Sequence, residues 1–324
     1  MRQPMPNPNS VLADAITIFI QYKRALNRKY RSEALALGLF DRYLQQQQIT
    51  APNAIDSFLI DRFLASRPRA SPRSYNHLRG VLARFFDWAV LHRVTERNPV
   101  TLRPRRDTRQ RIPYLFDLSD ARRLLELARA LPDRPKGPRR ALVYETVFAL
   151  LYGLGLRVGE VARLKLGDVD FTRDTLFIRE TKFSKNRIVP LGPRLAQRLH
   201  RYVEVCHGAT GQPDTPLFSF TQRGCVHEGT ISQTFHALVP QLQLHIPPGV
   251  SSPTVHCLRH SFAVGTLQRW YREGIDPNQR LIHLATFLGH CDPSSTAVYL
   301  SITEELLRQA DTRFHAFAVK GGVL

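Results

Sequence analysis

Acidic residues, cysteines and long apolar runs are scarce in this sequence, and each shortage excludes a class of protein. The 324 residues include 27 Asp and Glu against 46 Lys and Arg, and only 4 Cys. The cysteines stand far apart with no CxxC pair, which excludes a zinc ribbon or a disulfide framework and is typical of a reducing compartment. No run approaches the roughly 18 apolar residues that a membrane span needs, and the N-terminal "MRQPMPNPNS" has no apolar signal core. We therefore expect a cytoplasmic protein without a membrane segment.

The excess of basic residues favours a polyanionic partner. The formal net charge is +19, and it is uneven: residues 1–112 hold 20 basic and 8 acidic side chains, whereas the remaining 212 hold 26 and 19. Most of the basic residues are arginine, whose planar guanidinium suits phosphate oxygens. Neutralising phosphates releases condensed counterions, so double-stranded DNA is the expected partner. A basic protein whose composition reflects only its codon usage is the alternative.

The periodicity predicts a mainly α fold with a small antiparallel β-sheet, in two domains. Residues 1–104 hold four amphipathic helices, the first starting at a Ser10 cap and the last opening at Pro72. Residues 105–115 form a basic linker rich in proline and arginine, and residues 116–324 form the second domain. Basic positions on the last helix and in the linker are expected to contact the DNA backbone. They are Arg73, Arg79, Arg84, Arg105 and Arg106.

The second domain changes its pattern midway. "DLSDARRLLELARAL" predicts a helix with a Ser119 cap, and "ALVYETVFALLYG" a buried helix stopped by Gly153. "TLFIR" and "RIVPL" then flank a polar turn, which is the strongest β-hairpin signal in the chain. Helical patterns resume and continue towards the C-terminus.

Two stretches carry candidate anion-binding side chains. "YGLGLRVGEV" has the glycine spacing GxGxxxG, but a helix precedes it, so it predicts a tight turn that presents Arg157 at a helix start and not a dinucleotide site. In "VHCLRH", His256 and Arg259 share one helical face and offer hydrogen-bond donors and a positive charge to one anion. His256 and His260 also have zincin spacing, but Cys257 stands where the zincin glutamate belongs.

The last candidate stretch is "LGHCDPSSTAVYL", residues 288–300. Asp292 and Pro293 predict a helix start. Tyr299 then lies about two turns into that helix, and His290 lies in the turn before it. Taken alone, this stretch favours ordinary core packing of Tyr299 and a capping role for His290.

The order of these pieces resembles the tyrosine recombinase (phage integrase) family. The motifs that carry the resemblance are "LGLRVGEV", "TKFSKNRIVPL", "HCLRHSFA" and "LGHCDPSSTAVYL", and they span residues from about 115 to 310. The resemblance implies a helical, SAM-like core-binding domain followed by the catalytic domain of a DNA breaking-rejoining enzyme. Thr181 and Phe183 depart from Xer-type relatives, which often have glycines around the β-turn lysine. The "KxxKxR" alignment favours Lys182 as that lysine, and Lys185 is the alternative.

The resemblance also implies roles for the site residues. Tyr299 attacks a DNA phosphodiester and forms a 3′-phosphotyrosine, while Arg157 and Arg259 clamp the non-bridging oxygens. His256 accepts the tyrosine proton or shares it with the phosphate, and His290 binds the phosphate. Lys182 protonates the leaving 5′-oxygen, and Glu160 orients an arginine from behind. No metal, cofactor or ATP is implied.

The partner implied by the resemblance is a DNA recombination site held by a homo- or hetero-tetramer of recombinases. The tail after Tyr299 is expected to dock onto a neighbouring protomer or to cover its own domain. Alternative functions are a type IB topoisomerase, a hairpin telomere resolvase, a catalytically silent DNA-binding relative and, as an outside possibility, a zinc hydrolase.

Overall fold

The chain folds into two compact units, Met1–Gln110 and Arg111–Leu324. The computed structural model describes residues 8–106, 112–135, 137–179, 186–208, 211–220, 224–290, 292, 294–300 and 302. None of the described helices is both long enough and apolar enough to cross a membrane.

The N-terminal unit has four α-helices around an aromatic core. They are α1 (Ala13–Ala25), α2 (Arg31–Gln46), α3 (Ser57–Ala65) and α4 (Pro72–Leu91), with a 3-10 turn at Pro52–Ala54. The rings of Phe19 and Phe85 meet edge to face at 5.5 Å, and those of Phe40 and Phe63 at 5.0 Å. Aromatic pairs in this geometry stabilise a core beyond the area that they bury.

A side-chain cap sets the start of α4. Ser71 accepts the N–H of Ser74 at 3.2 Å, and Pro72 is the first residue of α4, as predicted. Its fixed φ and missing N–H suit that position. The first helix begins at Ala13, three residues after the predicted Ser10 cap, although the Ser10 carbonyl accepts the N–H of Ala13 at 2.9 Å.

The described residues of the C-terminal unit form seven further α-helices, the helical segment 294–300 and the only sheet in the described part of the chain. The helices are α5 (Leu118–Arg129), α6 (Arg140–Leu154), α7 (Val158–Ala162), α8 (Pro193–His207), α9 (Glu228–Leu238), α10 (Val255–Arg272) and α11 (Pro277–Leu288). Short 3-10 turns lie at Leu166–Asp168 and Val239–Leu242, and residues 294–300 are helical. Helix α6 is buried on nearly every side, as its continuous apolar sequence predicts.

One charged residue inside this core is paired. Glu145 of α6 is 5% exposed and accepts a hydrogen bond from Arg129 at 2.6 Å and another from Arg198. Burial by itself raises the pKa of Glu145, but the hydrogen bonds of the two arginines lower it overall. A buried carboxylate needs such partners because an unpaired one is costly in a core.

The predicted ends of two helices were wrong by two residues. Helix α5 is capped by Asp117, whose carboxylate accepts the N–H of Asp120 at 2.7 Å, and not by Ser119. Helix α6 runs through Gly153 and ends at Gly155, which has φ 59°. In both cases a second residue with the same capping chemistry stands two positions from the predicted one.

The sheet is a three-stranded antiparallel meander. It consists of β1 (Val169–Asp170), β2 (Thr175–Ile178) and β3 (Arg187–Pro190), in the order β1-β2-β3. Leu176 pairs with Val189 and both are fully buried, whereas Ile188 is 65% exposed. This alternation is the period of a half-buried strand. The predicted hairpin and the predicted mainly α fold with a small antiparallel sheet are confirmed, and the short β1 is an addition.

Candidate active site

The turn between α6 and α7 is built around Gly155. Its φ of 59° lies in the left-handed region, and a Cβ there would stand 2.6 Å from the ring of Phe262. Glycine meets both demands without strain. The chain leaves this turn extended, and Arg157 becomes the N-cap of α7. The glycine-rich stretch therefore presents Arg157 at a helix start, as predicted.

A single buried carboxylate, that of Glu160, joins two arginines. Glu160 is 3% exposed and accepts the backbone N–H of Arg157 at 2.9 Å and its guanidinium at 2.8 Å. Arg187, the first residue of β3, donates from both terminal nitrogens to the two carboxylate oxygens, each at 2.9 Å. Burial alone would raise the pKa of Glu160, but the hydrogen bonds and charges of Arg187 and Arg157 outweigh it and lower the pKa to about 2. Glu160 is therefore ionised at neutral pH and fixes Arg157.

Three arginines from three elements donate to consecutive carbonyl oxygens where α11 ends. The pairs are Arg187 with Phe287, Arg259 with Leu288 and Arg157 with Gly289, at N···O distances of 2.8, 2.7 and 3.0 Å. The last carbonyls of a helix lack intrahelical partners, and the helix dipole places partial negative charge there. The end of α11 is therefore a receptor for guanidinium groups.

Arg259 is the most deeply buried of these arginines. It is 1% exposed, and its second terminal nitrogen donates to the Gly155 carbonyl at 2.6 Å. Burial and the neighbouring charge of Arg157 lower the pKa of Arg259 to about 10, so it is still cationic at neutral pH. Its side chain ties the Gly155 turn to α10 and to the end of α11.

His290 follows the glycine that ends α11. Gly289 has φ 68°, and the Nδ1 of His290 then lies 2.6 Å from the hydroxyl of Thr296, which is fully buried. The predicted cap is present as a contact of Asp292, whose carboxylate accepts the N–H of Ser294 at 2.9 Å; Pro293 lies outside the described residues. Burial and the charges of Arg259 and Arg157 lower the pKa of His290 to about 4, so its ring is neutral at pH 7.

Tyr299 lies in the helical segment 294–300 and is 4% exposed. Its hydroxyl stands 3.0 Å from the Nδ1 of His260. Its ring is nearly parallel to that of His290, with centroids 6.3 Å apart and an interplanar angle of 15°. Burial raises the pKa of Tyr299, and the Arg259 charge acts against that rise. The phenol is thus supplied by the same chain as the arginines and histidines around it.

The two histidines of "VHCLRH" occupy different places on α10. Their rings meet edge to face with centroids 4.6 Å apart. His256 is exposed, whereas His260 is half-buried beside Tyr299. The phenol of Tyr299 contacts His260 and also has a side-chain hydrogen bond with Arg259. The proton-accepting role expected for His256 stays a prediction.

The described residues place no third metal ligand beside these two histidines, although their spacing matches that of zincins. Within the described ranges, no group of three or more His, Cys, Asp or Glu side chains is arranged to hold a metal ion. Cys257, at the position of the zincin glutamate, is buried. Its thiol sulfur accepts the backbone N–H of Thr254 at 3.3 Å.

Most of the candidate catalytic side chains lie in one connected cluster of the C-terminal unit. Shared hydrogen bonds, carbonyl acceptors and ring contacts link Arg157, Glu160, His256, Arg259, His290 and Tyr299. Lys182 and its alternative Lys185 lie outside the described residues. The catalytic roles of the whole set stay predictions.

Three further members of the cluster were missed by sequence reasoning. They are Arg187, His260 and Thr296. The final arginine of the "KxxKxR" pattern is Arg187, so the signal was present without a physical role. His260 was considered only as a zinc ligand. Thr296 carries no local signal, because only folding places its hydroxyl on His290.

The basic residues predicted to contact DNA in the N-terminal unit fall into two groups. Arg73, Arg84 and Arg106 are exposed. Arg79 donates to the Leu102 carbonyl at 2.5 Å, and Arg105 lies over the Tyr75 ring at 3.9 Å. The latter two therefore also hold residues 102–105 against α4, and DNA contact by all five stays a prediction.

Comparison with known proteins shows the family of this chain. The family model described as "Phage integrase family" matches residues 117–305. A Sinorhizobium fredii NGR234 protein named "Putative integrase/recombinase y4rB" is 34% identical over 94% of this chain and 97% of its own length. The tyrosine recombinase XerD of Ralstonia nicotianae is 29% identical over 86% of this chain and 85% of its own.

A solved structure supports the fold. The XerH site-specific recombinase bound to its difH substrate superposes with a TM-score of 0.65 at 17% identity, covering 92% of this chain and 94% of XerH. At that identity the likeness concerns the fold alone. With the family match over more than half of its length, this chain belongs to the phage integrase family of tyrosine recombinases.

Proposed function

We propose that this protein is a site-specific DNA recombinase that cleaves and rejoins strands through a covalent 3′-phosphotyrosine at Tyr299. The observation that carries the proposal is the burial of this phenol among two arginines and two histidines of its own chain. Family membership and the names of the relatives, which include integrases and Xer recombinases, support it. The net charge of +19 suits a DNA substrate.

In the first step, the Tyr299 oxygen attacks the phosphorus as its proton leaves. The bond between phosphorus and the 5′-oxygen breaks, and Lys182 gives the departing oxygen its proton. The covalent link conserves the energy of the phosphodiester, so a 5′-hydroxyl from another strand can reverse the step without ATP. A phenol with an ordinary pKa near 10 is a poor nucleophile at neutral pH and needs a base close by.

Arg157 and Arg259 would bind the non-bridging oxygens. Each guanidinium carries five N–H donors, so the carbonyl and carboxylate contacts described above leave donors for an anion. Such preorganised donors are worth about 3 kcal/mol each in a transition state. His256 and His290 would add hydrogen bonds to the same phosphate. Two fixed cations supply the charge stabilisation that metal ions give in many nucleases, and we therefore propose that cleavage needs no metal.

The N-terminal unit would act as the core-binding domain, with Arg73, Arg79, Arg84, Arg105 and Arg106 along the DNA backbone. Two DNA sites, each bound by two protomers, would then pair, and the four protomers would form a homo- or hetero-tetramer for strand exchange. The tail that follows Tyr299 lies outside the described residues from position 303 onward. Since the proposed substrate is DNA, the cytoplasm is its proposed place of action.

The test is formation of a protein–DNA adduct. Fragments of the genomic DNA that flanks the gene, nicked lightly with DNase I, are incubated with the full chain and stopped with detergent. We expect an adduct that protease releases, that EDTA does not reduce, and that Tyr299→Phe abolishes while DNA binding persists. Tyr22→Phe, at a 45% exposed tyrosine of the other unit, is the matched control.

Three outcomes would contradict parts of this proposal. An undiminished adduct in Tyr299→Phe removes the nucleophile assignment, and loss of the adduct in EDTA removes metal independence. Relaxation of supercoiled DNA without exchange between two mapped sites would identify a topoisomerase instead of a recombinase.

A further inference from the structure

The phenol of Tyr299 has a described partner that lies outside the catalytic set assigned above. The Nδ1 of His260 stands 3.0 Å from the Tyr299 hydroxyl, which is within the distance that proton transfer between two heavy atoms requires. The ring centroids are 5.5 Å apart. His256, one helical turn earlier, is exposed and touches the ring of His260. Of the two histidines on this face of α10, His260 therefore has a described contact with the reacting oxygen.

The charge state of His260 suits an acceptor. Burial, followed by the charges of His256, Arg259 and His290, lowers the pKa of His260 to about 4. The ring is therefore neutral at pH 7, with one nitrogen protonated and the other free to accept. With the proton on Nε2, the Nδ1 lone pair is directed at the phenol, and the phenol donates.

From this contact we infer that His260 is the catalytic base of the first step: it takes the Tyr299 proton as the phenol attacks and returns it when the strand is rejoined. The inference rests on the proposed recombinase function and deepens it. In the forward direction the Oη–H bond breaks, the proton moves to Nδ1, the Oη–P bond forms and the bond to the 5′-oxygen breaks. In the reverse direction the departing phenolate takes the same proton back.

Charged neighbours explain how His260 can hold a proton only during the reaction. In the DNA-free site, burial and the charges of His256, Arg259 and His290 disfavour an imidazolium at His260. A bound phosphate adds negative charge to the same cluster, which offsets those cations and favours a protonated ring. His256, being exposed, is left to contact that phosphate.

The experiment measures single-turnover cleavage of a DNA site recovered by adduct mapping, with the full chain, between pH 6 and 9. His260→Asn keeps an acceptor near the Nδ1 position but removes the base. We expect a rate about 100-fold lower at pH 7, within the range that general bases contribute. The rate should also climb about tenfold per pH unit, because the phenolate must now form by ordinary ionisation. His245→Asn, at an exposed histidine of the same unit, is the control and should match the wild type.

A second measurement separates proton transfer from simple positioning. Trifluorotyrosine, which has a more acidic phenol, is incorporated at position 299 by nonsense suppression. It should restore much of the lost rate in His260→Asn and add little in the wild type. His260→Ala, probed with added imidazole, extends the test if the asparagine variant folds poorly.

Each outcome decides the matter. A wild-type pH profile in His260→Asn, or a rate loss that the fluorinated phenol does not recover, overturns the inference while the proposed function stands. If the steep pH profile and the recovery appear in His256→Asn instead, His256 is the base. A wild-type protein that binds DNA but forms no adduct ends both proposals.

Discussion

Replacing Glu160 by glutamine should destabilise the C-terminal unit and slow DNA cleavage together. Glu160 is 3% exposed and accepts hydrogen bonds from both Arg157 and Arg187. Glutamine keeps the shape but has one acceptor oxygen, and its amide nitrogen would face arginine donors. Two guanidinium groups would then lack a counter-charge. Breaking a buried ion pair by removing one partner costs about 3–5 kcal/mol.

The pKa of Glu160 gives a second value for the expected loss of folding free energy. Its fall from 4.5 to about 2 corresponds to about 3 kcal/mol in favour of the charged form. Because the folded-state pKa lies below the unfolded one, this stabilisation is complete above about pH 4.5 and is lost as the pH falls towards 2. Both routes therefore predict a loss of about 3 kcal/mol in Glu160→Gln at pH 7.

Urea unfolding followed by tryptophan fluorescence measures this loss. The chain has two tryptophans, and Trp88→Phe leaves Trp270, which packs against the small cluster that contains Tyr299. Glu145→Gln is the matched control, since Glu145 is also buried between two arginines. Both variants should lose stability. Under conditions where both are folded, only Glu160→Gln should lower the cleavage rate, by about 10- to 100-fold, because a displaced arginine misplaces the phosphate.

The reasoning fails if Glu160→Gln unfolds within about 1 kcal/mol of the wild type and cleaves DNA at the wild-type rate. It also fails if Glu145→Gln slows cleavage equally, since the effect on Glu160 would then reflect general loss of stability.

Three smaller predictions concern neighbouring positions. Arg187→Lys removes the forked contact with Glu160 and should cost about 2–3 kcal/mol, because an ammonium group cannot replace two parallel bonds. Gly289→Ala should cost about 1–2 kcal/mol in the same unfolding assay, because a side chain at φ 68° is strained and its Cβ would lie 2.7 Å from the Arg187 guanidinium. The third concerns pH. The pKa of His260 is lowered to about 4 in the folded state. The stabilisation that the neutral His260 ring provides is therefore complete above about pH 6.5 and is lost as the pH falls towards 4. The wild type should therefore lose about 1–2 kcal/mol more than His260→Asn between pH 7 and pH 5, after allowance for partial solvent exposure.

Each of these has a clear opposing result. Equal urea midpoints for Arg187→Lys and the wild type would show that the fork contributes nothing beyond charge. A stabilised Gly289→Ala would show that the turn relaxes without strain. Parallel pH curves for His260→Asn and the wild type would show that the ring takes up its proton equally in both states.

Periodicity and turn chemistry predicted much of the fold. The β-hairpin, the start of α4 at Pro72 and the placement of Arg157 at a helix start follow from local rules, and the structure agrees with them. The errors lie at helix ends. "DLSD" offers two possible caps, and "GLG" offers two possible stops, so local rules do not choose between Asp117 and Ser119 or between Gly153 and Gly155. Tertiary packing determines where α6 ends, since Gly155 has the left-handed φ and its α-carbon lies close to the Phe262 ring.

Residues of the candidate site could be predicted from the sequence only where they belong to a recognisable motif. Physical reasoning from spacing alone favoured core packing for Tyr299, and the family resemblance assigned the roles of Tyr299 and Arg157. Arg187 and Thr296 act through contacts with residues far away or behind the site, which no local pattern encodes. Which of the rings of His256 and His260 lies beside the phenol depends on folding, and the described contact is with His260.

The arginine cluster at the end of α11 has a consequence for how the site tolerates change. Its acceptors are main-chain oxygens, which no codon substitution deletes, so the seats for the guanidinium groups depend on where the helix ends. The side chains of Phe287 and Leu288 serve packing instead, since the Phe287 ring stacks on Phe262 and Leu288 is fully buried. A peptide carbonyl also bears no full charge. It can bind a guanidinium without presenting a second anion, which would repel the phosphate of the proposed DNA substrate. Hydrogen bonds to a helix terminus would let the proposed enzyme hold its arginines close together before the substrate binds.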